Sequence, residues 1–489
     1  MKTPEEFKAA VYQKRDAAQK RRKRTALGLG LCLAAVVMLG GGFFALRGLG
    51  LSGVTGYEEG GPTLQVLAPP ALQDLHDMDA LYSTTEDGAF TIDQEAQEEF
   101  NRLGEESKVE EAFPQAVSGF AQKAAPLLLG EEENGCFSPL SLYYALALAG
   151  SGSQGKTQEE FLEVLCAPDL DWLGDQAGRC YRQLYQDNDR GTLTMANSLW
   201  LQKGYPFAQS FLDTAGEDYF AALFSGDFRD PQLGSEVSRW ISDNTQGLLA
   251  PELQFDTNAR LAVVNTLYFH SKWMDEFDPH LTSPEEFTRA DGSTVTADFM
   301  HAEGQWTSAW MGENYTIAVM GLSSRGFAFF VLPEEGTTPQ ELLEDPGFWE
   351  GLEKVMDGGA YAKVNWSVPK FTVDSQFDLG DVLPQLGLTT AGNPATADFS
   401  GMTEVERLTL SGGSHGVHFA IDEEGIEAAA YTATSMSGSS GPPPLEIDMV
   451  LDRPFLYGVT ALTSTEEMEY SRMDSTLLFL GVCGDPTAS

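Results

Sequence analysis

Residues Ala26 to Leu46, "ALGLGLCLAAVVMLGGGFFAL", carry no charged side chain. Twenty-one residues at about 1.5 Å each match a hydrocarbon layer about 30 Å thick, so a stretch like this reads as a membrane-spanning helix. Nine basic residues lie in 1–25 (Lys2, Lys8, Lys14, Arg15, Lys20, Arg21, Arg22, Lys23, Arg24) against three acids, Glu5, Glu6 and Asp16. That segment is therefore +6, and the remainder of a chain whose net charge is −43 carries −49. Basic residues before the apolar run and acidic sequence after it predict a cytoplasmic N-terminus by the positive-inside rule. A single-pass anchor over 26–46 is expected, with the rest of the chain extracellular. The alternative is a cleaved signal peptide, for which the run is long and which lacks a clear small-x-small cleavage site.

The acidic balance excludes nucleic acid as a natural partner, because phosphate binding needs clustered Lys and Arg. The other cysteines, Cys136, Cys166, Cys180 and Cys483, have neither metal-ligand spacing nor the density of a disulfide scaffold. Small buried thiols are expected, with a Cys166–Cys180 pair as the lesser alternative. No metal and no small-molecule cofactor is expected.

Residues 47–111 are rich in Gly and acids and weak in apolar periodicity, which predicts a flexible or partly ordered linker. From 112 the texture changes, and 112–487 reads as one large domain. "AFPQAVSGFAQKAAPLLL" spaces its apolar residues at helical intervals. Ser138-Pro139 opens "SPLSLYYALALAGSG" with an N-cap and a first-turn proline, so a capped buried helix is expected. "TQEEFLEVL" and "FAQSFLDTAGEDYFAAL" read as further helices. Strands are expected at "TLTMANSLWLQ", "RLAVVNTLYFHSKW", "GFAFFVLP", "KVNWSVPKFTV", "GVHFAID", "LEIDMVL", "FLYGVTAL" and "STLLFLGV". Helices early and strands late predict an α+β fold with large sheets.

Several of these blocks together resemble the serpin family. "NGCFSPLSLYYALALAGSGSQGKTQEEF", "LAVVNTLYFHSKWMDEFDP", "VPKFTVDSQFDLGDVLPQLGL", "ADFSGMT", "SHGVHFAIDEEGIEAAAYTA", "DRPFLYGV" and "LLFLGVCGDP" stand in the family's order across 112–487. One departure is Lys272-Trp273, which lacks the family's spacer residue. The resemblance implies helices packed around large mixed and antiparallel sheets, with an exposed reactive-centre loop at about 423–444. It also implies gatekeepers beneath the main sheet. Ser138, Ser141, Asn265 and His415 match the cluster under which the sheet opens. Trp273 matches the aromatic where insertion begins. His415 is the one residue with a rival reading, as a catalytic base, but no Gly-x-Ser-x-Gly or similar nucleophile motif accompanies it.

The loop supports the same reading on physical grounds. Between Glu423 and Pro444 the chain is mostly Gly, Ala, Thr and Ser, which form no core of their own and predict exposure. The hinge residues are Glu423, Gly425, Ile426, Glu427, Ala428, Ala429 and Ala430. Were this segment to enter a sheet, Ile426, Ala428, Ala430, Thr432 and Thr434 would share the core face by the period-2 rule, with Glu427 on the other. Gly425 supplies the pivot. Ile426 stands where the family usually has Thr or Ser, and Tyr431 where it usually has a small residue. Counting from Gly425 places the scissile bond at Ser439–Ser440, with Met436–Ser437 second. Pro442, Pro443 and Pro444 stiffen the far side.

The resemblance implies a monomeric suicide-substrate inhibitor of serine-type endopeptidases and no enzyme activity. The protease would be trapped as an acyl-enzyme when the cleaved loop inserts into the main sheet. Small residues at the cut point to elastase-like or subtilisin-like targets. A non-inhibitory binding protein of the same fold and a cross-class inhibitor of cysteine proteases are the alternatives.

Overall fold

A computed structural model describes residues 72–77, 81–84, 90–130, 133–426, 445–465 and 475–488, together with the backbone of 31–41. In chain order its elements begin with β1 (Leu31–Gly41), β2 (Tyr82–Thr84), β3 (Phe90–Ile92), α1 (Gln94–Glu106), α2 (Ala112–Leu129), β4 (Asn134–Phe137), α3 (Pro139–Gly150), α4 (Gly155–Val164) and α5 (Leu170–Leu184). Next come β5 (Gln186–Asn188), β6 (Gly191–Gln202), α6 (Gln209–Glu217), β7 (Ala221–Gly226), α7 (Gln232–Asn244), β8 (Ala259–Lys272), β9 (Ser283–Thr288), β10 (Thr294–Met311), β11 (Tyr315–Leu322) and β12 (Gly326–Pro333). The remainder are α8 (Pro339–Glu344), α9 (Pro346–Met356), β13 (Ala360–Pro369), β14 (Phe371–Asp378), α10 (Val382–Leu386), β15 (Leu408–Ile421), β16 (Gly425–Ile426), β17 (Leu445–Val450), β18 (Phe455–Leu462) and β19 (Ser475–Cys483).

Two large sheets carry the fold, with helices around them, as the α+β expectation holds. The first runs β14-β15-β1-β8-β6-β5, with β16 beside β8 and β7 beside β6. The second runs β17-β13-β10-β11-β12-β18-β19-β4, with β9 beside β10. Every ladder is antiparallel except β6–β7 and β13–β17.

The centre of the molecule follows from sequence. β8 is buried along nearly its whole length, which suits a continuous apolar run in a strand covered on both faces. All twelve residues of α3 are buried. A helix apolar all round belongs inside a core rather than on a surface. Its start is fixed by Ser138, whose hydroxyl oxygen accepts the Ser141 N–H, with Pro139 in the first turn. Aromatic rings close the core between the sheets: Phe419 lies 4.5 Å from Tyr457 between centroids, and Phe371 stacks on Phe419.

The expected membrane-spanning helix over 26–46 is replaced, across Leu31–Gly41, by strand β1. β1 pairs antiparallel with β15 on one side and β8 on the other. An uncharged apolar run meets the demands of a strand buried in mid-sheet as well as those of a bilayer. Among the described residues, no helix is long and apolar enough to cross a membrane.

Other elements differ from expectation as well. The helix expected over "FAQSFLDTAGEDYFAAL" stops at Glu217, and Ala221–Gly226 is a strand parallel to β6. Phe220 has φ +53, which no helix accommodates, and the chain changes direction there. Within the expected linker, Asp93 caps α1 by accepting the Glu95 and Ala96 N–H groups, and the chain then bridges from Val109 to Thr465. Cys166 and Cys180 are both free, so the alternative pair does not form, and Cys166 is exposed rather than buried. Burial pushes the Cys180 thiol up to about 12, which makes it inert.

Candidate functional site

The site is the lane between β8 and β15, with its mouth at Trp273 and its floor at α3. At the mouth β15 ends at Ile421 and the chain turns back on itself. The Asp422 N–H donates to the Gly425 carbonyl at 3.1 Å, and Asp422 Oδ1 accepts the Glu424 N–H at 2.9 Å. Gly425 then pairs with Lys272, and Ile426 with Ser271. Gly425 has φ +146, and a Cβ there would lie 2.6 Å from Lys272 Cα. Glycine is required both by the backbone and by this close approach. Ile426, the apolar departure from the family pattern, is 1% exposed.

Trp273 fixes that turn from below. Its indole N–H donates to the Asp422 carbonyl at 2.9 Å, and its backbone N–H donates to Glu424 at 3.3 Å. Its ring meets Phe277 edge-on at 6.0 Å. Glu423 is held by Lys370 at 2.7 Å and by the Thr282 hydroxyl at 2.9 Å. Partial burial opposes ionisation of Glu423, but the Lys370 ammonium, the backbone and Thr282 outweigh it and leave the carboxyl below its usual range.

Deeper in the lane the four expected gatekeepers come together. The Ser138 N–H donates to His415 Nε2 at 3.0 Å. The Ser141 hydroxyl donates to Asn265 Oδ1. Asn265 Nδ2 donates to Asn197 Oδ1 at 2.7 Å, and Asn197 Nδ2 to the Tyr219 carbonyl at 2.6 Å. β15 and β8 are thus each tied to the first turn of α3, and not through these side chains to each other. Ser138, Ser141, Asn265 and His415 are all fully buried.

Desolvation drives His415 down to about 3, so it is neutral. Its Nε2 accepts a backbone N–H, so its proton sits on Nδ1, which has no partner among the described residues. The lone pair on Nε2, through which His415 would act as a base, is taken up by the Ser138 amide N–H. Asn197 is the member that sequence reading missed. Its signal was an amide inside the apolar strand "MANSLWL", where a buried polar group demands partners. Glu427, Ala428, Ala429, Ala430 and the scissile candidates Met436, Ser437, Ser439 and Ser440 lie outside the described residues.

A turned-back hinge on the edge of β8 and a polar cluster against the first turn of a buried helix are the features that the serpin resemblance led one to expect. The Serpin (serine protease inhibitor) family model matches residues 115–483. Serpin-ZX of Arabidopsis thaliana is 30% identical over 387 residues, covering 73% of this chain and 93% of its own. Among solved structures, native tengpin, a thermophilic serpin, superposes with a TM-score of 0.66 at 22% identity, covering 77% of this chain and 95% of that one. Thyroxine-binding globulin in complex with thyroxine gives 0.64 at 26% identity, covering 77% and 99%. The chain belongs to the serpin family.

Proposed function

We propose that this serpin inhibits serine-type endopeptidases as a suicide substrate. The protease serine Oγ attacks the carbonyl carbon at the cut. The peptide C–N bond breaks, the amine leaves with a proton as a new N-terminus, and an ester joins loop to enzyme. The freed loop then enters the main sheet, and the ester is stranded before water can hydrolyse it. The observation that carries this reading is the pairing of Gly425 and Ile426 with Lys272 and Ser271, which seats the hinge on the edge of β8. Small residues around Ser439–Ser440 favour elastase-like or subtilisin-like targets. The test is to mix the chain with pancreatic elastase and seek an SDS-stable covalent band. Cleavage without that band would overturn the reading. Papain in a parallel lane tests the cross-class alternative.

A second reading is favoured by one observation: β1 already fills the lane. A serpin fold used only for binding, with no trapping, needs no vacant lane. The uncharged run 26–46 behind a basic segment supports a further proposal, a single-pass anchor with the serpin domain outside the cell. Membrane fractionation against the medium tests it, recovery in the medium alone indicating a cleaved segment.

A further inference from the structure

We propose that Leu31–Gly41 is an internal competitor for the insertion lane, so that the chain blocks its own trap while this segment is seated. This inference rests on the inhibitory reading above and on the register of β1 and β16 along β8.

Gly425 stands opposite Lys272 and Ile426 opposite Ser271. On the same edge of β8, Leu31 stands opposite Phe269, Ala35 opposite Asn265 and Leu39 opposite Leu261. β16 and β1 run in the same direction, each antiparallel to β8. Only the place opposite His270 separates the end of β16 from the start of β1. Continued in register, the loop would put Glu427 opposite His270 and Ala428 opposite Phe269, where Leu31 sits. Thr432 would arrive opposite Asn265, in the place of Ala35, and Met436 opposite Leu261, in the place of Leu39. Ala35 also stands opposite His415 on β15, so the competition extends to the centre of the polar floor. Loop and β1 cannot both hold these places.

The energetics follow. Insertion is driven by ladder hydrogen bonds to the facing edges of β8 and β15 and by burial of alternate side chains. β1 already supplies the ladder. A loop that must evict it gains only the difference between the two occupants. The β8 residues at the alternate places, Phe269, Leu267, Asn265, Val263 and Leu261, are all at most 1% exposed. Opposite them in register stand Leu31, Leu33, Ala35, Val37 and Leu39 of β1, and an inserted loop would bring Ala428, Ala430, Thr432, Thr434 and Met436 to the same places. The larger apolar set belongs to β1, so the difference favours the occupant already there. Both are segments of one chain, so no dilution relieves the competition. Any setting that holds residues 26–46 elsewhere, a bilayer included, frees the lane.

Two full-length variants test this. Val36 and Val264 are register partners. In a Cys32→Ser, Cys166→Ser background, Val36→Cys with Val264→Cys is close enough to cross-link on oxidation when β1 is seated. Leu33→Pro with Val37→Pro instead removes ladder donors from β1 and expels it. With pancreatic elastase, the oxidised pair is expected to be cleaved with loss of the SDS-stable band, which reduction restores. The proline variant is expected to give several-fold more of the band than the parent chain. Failure of the pair to cross-link in the folded chain overturns the inference and leaves the inhibitory reading standing. So does equal trapping by oxidised and reduced forms. A pair that cross-links while no form traps elastase, the proline variant included, overturns the inhibitory reading, and the inference with it.

Discussion

Ser138 and His415, 277 positions apart, are joined by a 3.0 Å hydrogen bond from the Ser138 backbone N–H to the imidazole Nε2. The bond requires a neutral ring, because a protonated imidazole has no lone pair to accept with. It fastens β15 to the cap of the buried helix, on the side of the lane opposite to Asn265.

That bond gives the protein a pH dependence with a definite sign. His415 falls from 6.5 to about 3 on folding, so below 6.5 the unfolded chain binds a proton that the folded chain refuses. The contribution is fully present above about pH 6.5 and is lost as pH falls toward 3, at about 1.4 kcal/mol per pH unit from this group. His415→Gln keeps an acceptor for Ser138 without the titration. Denaturant unfolding from pH 7 to 4 should show a difference between parent and variant that changes steadily in the variant's favour with acid.

Asn265 is the hub on the other wall. Asn265→Leu strands the Ser141 hydroxyl and the Asn197 carbonyl oxygen, on residues 0% and 2% exposed. The expected loss is about 2–4 kcal/mol by denaturant unfolding, from two buried polar groups left without partners. Adding Ser141→Ala should cost less than the sum of the two single changes, because they share one hydrogen bond.

Gly425→Ala places a methyl 2.6 Å from the backbone of Lys272 and Ser271, at a backbone angle that L-residues avoid. The expected outcome is a loss of about 1–3 kcal/mol in thermal unfolding and a smaller covalent fraction with elastase. The cut itself should proceed at the parental rate.

If the loop were inserted in the register of Gly425 and Ile426, Thr432 would come opposite Asn265. Thr432→Arg would have to bury a charge without a partner, a penalty of several kcal/mol. The variant should be cleaved like the parent and yield no SDS-stable band, which gel electrophoresis reads directly.

Much of this was legible in the sequence. Ser138-Pro139 marks the start of α3 because capping is local chemistry, settled within one turn. Gly425 followed by small residues marks the hinge because glycine, lacking a Cβ, opens backbone angles closed to other residues, wherever it occurs. That Ser138, Ser141, Asn265 and His415 come together was legible only through family resemblance, since nothing local joins residues as far apart as 138 and 415. Asn197 was missed for that reason: its partner lies on another strand. The stop of α6 before Phe220 was missed because the parallel partner β6 outweighs the helical pattern that runs on through Leu223.

The sequence by itself determined that Ala26–Leu46 is an uncharged apolar run, that a stretch of small residues follows Gly425, and that large sheets enclose a buried helix. Only the tertiary structure decided where the apolar run goes over Leu31–Gly41. A bilayer core and the middle of a sheet make the same demand on side chains, namely no charge and much apolar surface. They differ in where the backbone finds its hydrogen bonds: within a helix in one case, along the edges of β8 and β15 in the other. Composition records the demand on side chains, and the neighbours that satisfy the backbone exist only once the chain has folded.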